Sequence, residues 1–87
     1  MKNCVYILKC RNGRFNIGST GDLAIRICQH HAGKSPATKN LRPLELIFAQ
    51  EYPTYEKALA TEMWLKKLKS KTFLFRIISE GKIIKAI

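Results

Sequence analysis

Acidic residues are scarce in this chain. Its 87 residues include 6 Asp and Glu against 16 Lys and Arg, a formal net charge of +10 and a pI near 9.9. An excess of this size on one small chain points to a polyanionic partner. Nucleic acid is the first candidate, ahead of an acidic membrane surface or plain solubility. Long hydrophobic runs are also missing. The longest are Cys4–Leu8 and Leu46–Ala49, of five and four residues. A membrane-spanning helix needs about 20 apolar residues and a secretory signal core about 7 to 15. Both are excluded, and a cytoplasmic protein with no membrane association is expected. Cys4, Cys10 and Cys28 are odd in number and contain no C-x-x-C pair. That spacing argues against a disulfide framework or a zinc site and for reduced thiols in a core.

The content that is present suits one small domain. A chain of this length buries roughly 60% of its unfolded surface. Hydrophobic residues at 46% can build one core, and 25% charged residues is ordinary, so disorder is not expected. No internal repeat or low-complexity tract interrupts it.

Cys4–Cys10 reads as a strand with apolar side chains at both parities, hence covered on both faces. Arg11-Asn12-Gly13 is a hairpin turn and Arg14–Gly18 the returning strand. A two-residue Asn-Gly turn would set Tyr6 and Asn16 on opposite faces. A three-residue loop with Gly13 left-handed would set them on the same face. Ser19-Thr20-Gly21-Asp22 supplies N-cap chemistry for a helix over about Leu23–His31, stopped by Gly33. A basic connector, His31–Pro43, leads to a third strand over Leu44–Tyr52. Thr54 can cap a second helix, Tyr55–Lys69, and a third spans Lys71–Ser79 before Gly81. This order, β-β-α-β-α-α, implies an α+β fold with a small three-stranded antiparallel sheet flanked by three helices.

Several side chains are candidates for chemistry. Arg26 and His30 lie one helical turn apart beside the Leu23–Ile27 stripe, where they can reach a cleft together; the plainer reading is a solvated Arg and a half-buried His. Glu62 falls within the arc of Ala58, Leu59, Met63 and Leu65. A carboxylate facing a core needs a partner. That partner is either a structural ion pair, with Arg26 as the candidate, or a hard divalent ion. Tyr6 is mid-strand, the usual place of a core aromatic. Asn16 is also mid-strand, poorly suited there, and needs a hydrogen-bond partner. Trp64 projects away from Glu62 and should pack on the third helix. Lys66, Lys67, Lys69, Lys71 and Arg76 form a segment free of acid, since no Asp or Glu occurs between Glu62 and Glu80. Such a run is either a solvated face or a phosphate contact.

Taken together, these positions resemble the GIY-YIG nuclease superfamily, in its small stand-alone form, over nearly the whole chain. Cys4-Val5-Tyr6 stands at the GIY element and Asn16-Ile17-Gly18-Ser19-Thr20 at the YIG element. Asp22-Leu23, Arg26 and His30 match the D-L-x-x-R-x-x-x-H helix, with Gly33-Lys34 at its end. Thr38-Lys39 and Arg42-Pro43 match the basic stretch, and Ala58, Glu62 and Leu65-Lys66 the helix with the catalytic glutamate. The resemblance implies a metal-dependent phosphodiesterase. Glu62 would hold one Mg²⁺ or Mn²⁺, Tyr6 would help activate water, Arg26 would hold the scissile phosphate and His30 would assist proton transfer. A lone divalent ion polarises phosphoryl oxygens, and Arg suits phosphate geometry. A phenol with a reference pKa of about 10 needs nearby cations to act as a base. The two motif tyrosine positions share one site in the family, which favours the three-residue turn.

Asn16 replaces the second motif tyrosine and cannot shuttle a proton, whereas Gly18 keeps the motif glycine. Lys34, Lys39, Arg42, Lys66, Lys67, Lys69 and Lys71 are the expected nucleic-acid contacts. Ala24, Ile25 and Cys28 are apolar on the helix side away from Arg26 and mark a candidate homodimer face. The leading expectation is an endonuclease acting on DNA, with RNA an open alternative, in repair or the processing of structured DNA. A nucleic-acid-binding domain with weakened or lost cleavage is the alternative, and a basic interaction module for protein or ribosomal partners the third reading. No separate specificity domain follows, so weak selectivity or reliance on a partner is expected.

Overall fold

A computed structural model describes residues 3–83. It runs β1 (Asn3–Lys9), β2 (Phe15–Thr20), α1 (Leu23–His31), a single 3₁₀ turn (Lys39–Leu41), β3 (Glu45–Tyr52), α2 (Tyr55–Leu68) and α3 (Lys71–Glu80). The sheet order is β2-β1-β3 with both pairings antiparallel. This is the expected α+β architecture. The returning strand extends two residues past Gly18, because Ser19 and Thr20 still pair with Val5 and Cys4.

The turn decides which side chains share a face. Cys10 N donates to Arg14 O at 2.8 Å and Gly13 N to Cys10 O at 2.9 Å, with Gly13 at φ +83°. This is the three-residue loop, in the left-handed conformation that glycine adopts without steric cost. Even positions therefore pair with even: Tyr6 with Gly18 and Leu8 with Asn16. Tyr6 and Asn16 share a face. Between Ile7 and Leu8 the pairing with β3 shifts from Phe48 to Leu46, leaving Ile47 as the extra residue of a bulge.

β1 is the central strand, and Cys4 to Leu8 are all buried. Its odd face carries Val5 and Ile7, packed with Ile17, Phe48, Ala58, Leu65 and Ile77 under α2 and α3. Its even face carries Tyr6 and Leu8, packed with Cys10 and Leu44 and bordered by Leu23, Ile27 and Leu41 from α1 and the connector. Burying each large apolar side chain stabilises the fold by about 1.5–3 kcal/mol. Trp64 meets Phe73 of α3 edge-on, with ring centroids 5.5 Å apart. Of the three free thiols, Cys4 and Cys10 are buried and burial pushes their pKa values up. Cys28 departs from expectation: it is exposed, because the sheet-facing side of α1 is formed by Leu23 and Ile27.

The helix ends are satisfied locally. Asp22 Oδ1 accepts from Ile25 N, Thr54 Oγ1 from Lys57 N and Ser70 Oγ from Phe73 N. At the C-terminus of α1, Lys34 N donates to Gln29 O and Gly33 N to His30 O, a Schellman closure that turns the connector back over the sheet.

Gly18 is required by close approach. A Cβ there would collide with the Tyr6 phenol, whereas one at Gly21 would stand 3.6 Å from Asn3 Oδ1, an ordinary contact. Gly18→Ala should therefore destabilise the protein by about 1–3 kcal/mol, and Gly21→Ala should change little. Urea denaturation of both variants checks the contrast.

Candidate active site

α1 carries Arg26 and His30 four residues apart, so both side chains lie over the even face of the sheet. His30 Nε2 is 3.0 Å from Tyr6 Oη, and Arg26 Nε donates to the same oxygen at 3.2 Å. The Tyr6 and His30 rings meet edge-on at 5.7 Å. Arg26 Nη1 donates to Gln29 Oε1 at 3.2 Å. On its other side, His30 Nδ1 is 2.8 Å from Thr38 Oγ1. Neither plain reading of the pair holds. His30 is 1% exposed, and Arg26 is half-buried with its guanidinium engaged by Tyr6 and Gln29.

Thr38 is a residue that sequence reasoning missed as part of the site. The connector forms two successive turns, with Thr38 N and Lys39 N both donating to Ser35 O and Leu41 N to Thr38 O. These turns aim the Thr38 hydroxyl inward, and the residue is 0% exposed. The signal in the chain is its place in the Thr38-Lys39 element of the basic stretch, where the lysine and not the threonine reads as the functional residue.

Burial pulls the His30 pKa below its ordinary value, and the nearby positive charges of Arg26 and His31 push it the same way. The folded protein therefore favours the neutral imidazole.

Glu62 approaches the opposite face. Its Oε1 accepts from Ser19 Oγ at 2.5 Å and its Oε2 pairs with Lys66 Nζ at 2.6 Å. The Glu62 side chain is 14% exposed and that of Lys66 53%. The ion pair is thus with Lys66, one turn along α2, and not with Arg26. Nor does Glu62 lie in the middle of a buried arc. Leu59 and Met63 are exposed, and the buried face of α2 is Ala58, Thr61 and Leu65, which Glu62 flanks. Ser19, a second missed residue, follows Gly18 directly on the outer strand. The Tyr6 cluster and the Glu62 cluster therefore reach adjacent residues of β2 from opposite faces of the sheet.

The donors around Glu62 suit a hard cation. One carboxylate oxygen already holds an ammonium, and an exposed lysine can yield that place to a divalent ion. Mg²⁺ commonly takes one or two carboxylates and keeps most of its waters. Among the described residues no group of three His, Cys, Asp or Glu gathers, so a multi-ligand zinc centre does not fit. Asn16 is half-buried, and among the described residues none hydrogen-bonds its amide. The partner expected for it is absent from the protein side, because the outer strand leaves the amide open to water.

The basic candidates are all exposed but do not form one track. Lys39 and Arg42 border an open cleft of about 790 Å³ with Arg11 and His31. Lys66, Lys69 and Lys71 border another with Arg14 and Phe15. Lys34 lies beside Ala24, Ile25 and Cys28 on the outer side of α1. Arg42 also holds the fold together, since its guanidinium donates to His31 O at 3.2 Å and Lys39 O at 3.0 Å. Arg11 and Arg14, on either side of the Asn12-Gly13 turn, join the clefts without having been singled out from the sequence.

Residues 2–75 match the family model of the GIY-YIG catalytic domain. The chain belongs to the GIY-YIG family. Membership implies nuclease-type chemistry on phosphodiesters. This GIY-YIG chain is 40% identical over 67 residues to the UPF0213 protein YazA of Bacillus subtilis, covering 76% of this chain and 68% of that one. It is 36% identical over 81 residues to a UPF0213 protein of Staphylococcus epidermidis, covering 92% and 98% of the two chains. The solution NMR structure of the UPF0213 protein BH0048 from Bacillus halodurans is similar at a TM-score of 0.60 and 31% identity, over 93% of this chain and 87% of that one. The small UPF0213 proteins are thus what this chain is similar to. Among the described residues, no helix is long and apolar enough to cross a membrane.

The lowered His30 pKa sets a pH dependence. Its stabilising contribution is fully present above the unfolded value near 6.5 and is lost as pH falls through the lower folded value. Stability of the native protein should therefore decline below about pH 6.5, with a smaller decline in His30→Gln. Urea midpoints of the two proteins between pH 5 and 8 check this.

Proposed function

We propose that this GIY-YIG domain is a metal-dependent endonuclease that hydrolyses phosphodiester bonds in DNA, in repair or in the processing of structured DNA, in the cytoplasm. The observation that carries the reading is the Tyr6–His30–Arg26 cluster over Gly18, with Glu62 bonded to the next residue of the outer strand, Ser19, from the other face of the sheet. A chain whose role was only to bind a polyanion has no use for a phenol hydrogen-bonded to both a neutral imidazole and a guanidinium.

Glu62 is the residue that would hold one Mg²⁺ or Mn²⁺, in the place of the Lys66 ammonium. When bound, such an ion polarises the phosphoryl oxygens and stabilises the leaving oxygen. Arg26 positions the scissile phosphate: Nε and Nη1 are engaged by Tyr6 and Gln29, and Nη2 is left for a phosphate oxygen. Tyr6 handles the proton of the attacking water, and His30 supports the phenol oxygen from the buried side. Lys34, Lys39, Arg42, Lys66, Lys67, Lys69 and Lys71 contact the backbone of the nucleic acid.

The weakened-binder reading has one observation in its favour. Asn16 lies on the face of Tyr6 where a second motif tyrosine is expected, and it offers no group that can lose a proton at neutral pH.

Nicked, branched, single-stranded and duplex DNA, incubated with and without Mg²⁺ or Mn²⁺, separate the readings. Cutting should require the metal and fall by at least about 10²-fold in Glu62→Gln and in Arg26→Lys, the loss usual when a group facing transition-state charge is removed. Binding without cutting in the native protein would establish the weakened binder, and Asn16→Tyr is then the variant to assay for turnover. Binding should be steeply salt-dependent, and Lys67→Ala and Lys69→Ala should each lower the slope of log K against log salt by about 1. An absence of binding at low salt would favour the interaction module.

A further inference from the structure

We propose that Phe15 is a stacking platform for an unpaired base, and that the cleft it borders takes a nucleic-acid strand where that strand is not base-paired. The inference rests on the reading of the partner as a nucleic acid and not on its being cut.

Phe15 opens the outer strand β2. With Ile17 and Ser19 it alternates onto the face of the sheet from which Glu62 approaches. Its ring is half-buried and meets that of Phe75 edge-on, with centroids 5.4 Å apart. Phe75 is itself 55% exposed. Over the Phe15 ring stands the exposed ammonium of Lys71, 5.9 Å from the centroid and so at the outer limit of a cation–π contact. A base can take that place at small cost, and the ammonium is then free for a phosphate of the same strand.

The surroundings select the ligand. Arg14, Lys66, Lys69 and Lys71 border this cleft of about 240 Å³ with Phe15, and no acidic residue does. The larger cleft at Lys39 and Arg42 has cations but no Phe, Tyr or Trp, and suits phosphate alone. An aromatic ring set among cations suits a strand whose bases are turned out of any stack. A duplex keeps its base faces covered and offers phosphates and groove edges.

Lys69 points to the same ligand independently. It closes α2 at φ 48° and ψ 35°, and among the described residues it is the one non-glycine residue with positive φ. Glycine takes that conformation without steric cost and is the usual residue at such a helix end. The chain keeps a cation there instead, and the cation borders the cleft. Backbone strain of this kind gathers where a side chain is held for function. Lys66 joins the cleft to the candidate metal site, since its Nζ bonds Glu62 Oε2. Phe15 and Ser19 are four residues apart on β2, about 13 Å, so one short strand can reach both.

Binding in EDTA, where divalent ions cannot support cutting, tests this with three ligands: an oligothymidylate, a strand of the same length without bases, and a blunt duplex. The native protein should bind the oligothymidylate more tightly than the base-free strand, and the Phe15 ring resonances should shift with the first and not with the second. Phe15→Leu keeps an apolar side chain against the core and removes the stacking face. It should weaken oligothymidylate binding about 5- to 100-fold, by the same factor at every salt concentration, and leave duplex binding unchanged. Phe15→Tyr should bind as the native protein does. Lys69→Gly should not lower the urea midpoint, yet should reduce the salt slope of oligothymidylate binding by about 1. Equal native affinity for strands with and without bases overturns the proposal. So does a folded Phe15→Leu protein that binds oligothymidylate as tightly as the native one. Should that variant not fold, the native spectra decide: Phe15 ring resonances unmoved by bound oligothymidylate overturn the proposal. If bases and Phe15 govern binding while nothing is cut with Mg²⁺ or Mn²⁺, the nuclease reading fails and the stacking site stands.

Discussion

The structure depends on a strand that is buried on both faces. β1 has α2 and α3 on one side and α1 with its connector on the other, so each polar atom it sends inward must find its partner in those layers. Tyr6 is where this constraint bears hardest. Its ring occupies the space left by the missing side chain of Gly18, and its hydroxyl is met by His30 and Arg26. The same contacts complete the core and assemble the group of side chains best suited to chemistry. Packing and the candidate site are therefore one problem here, and a side chain added at Gly18 disturbs both.

The outer position of β2 supplies the second half of the arrangement. A side chain from either face of a sheet can reach the end of an edge strand, so α1 and α2 bring their functional groups to neighbouring residues although the sheet separates the two helices. Tyr6 lies over Gly18 on one side, and Glu62 accepts from Ser19 on the other. The electrostatics follow the same division. A neutral imidazole and a guanidinium surround the phenol on one face, while on the other a carboxylate holds an ammonium. That juxtaposition suits a reaction in which a phosphate, a divalent ion and a water must be held at once. The clefts lined by Lys39 and Arg42, and by Lys66, Lys69 and Lys71, concentrate positive charge on the surface.

Local signals in the chain determined the elements and their order. The three-residue turn at Arg11-Asn12-Gly13, the caps at Asp22, Thr54 and Ser70, and the stops at Gly33 and Gly81 act over a few residues, and local chemistry is enough to specify them. The apolar residues at both parities of β1 determined that it would be the covered strand. The motif spacing determined the family and placed Tyr6, Arg26 and His30 as candidates for one site.

Only the tertiary structure decided what those side chains touch. Glu62 bonds to Ser19 and Lys66 in place of Arg26, because α2 presents Ala58, Thr61 and Leu65 to the sheet and leaves Leu59 and Met63 in solvent. A helical period of 3.6 residues lets several faces compete for burial, and the neighbouring layer selects among them. Thr38 lies eight residues from His30 in a connector without regular periodicity. Its inward orientation comes from consecutive backbone turns on Ser35 O, which composition does not encode. Periodicity and capping are properties of a few adjacent residues; hydrogen-bond partners across layers depend on how whole elements dock.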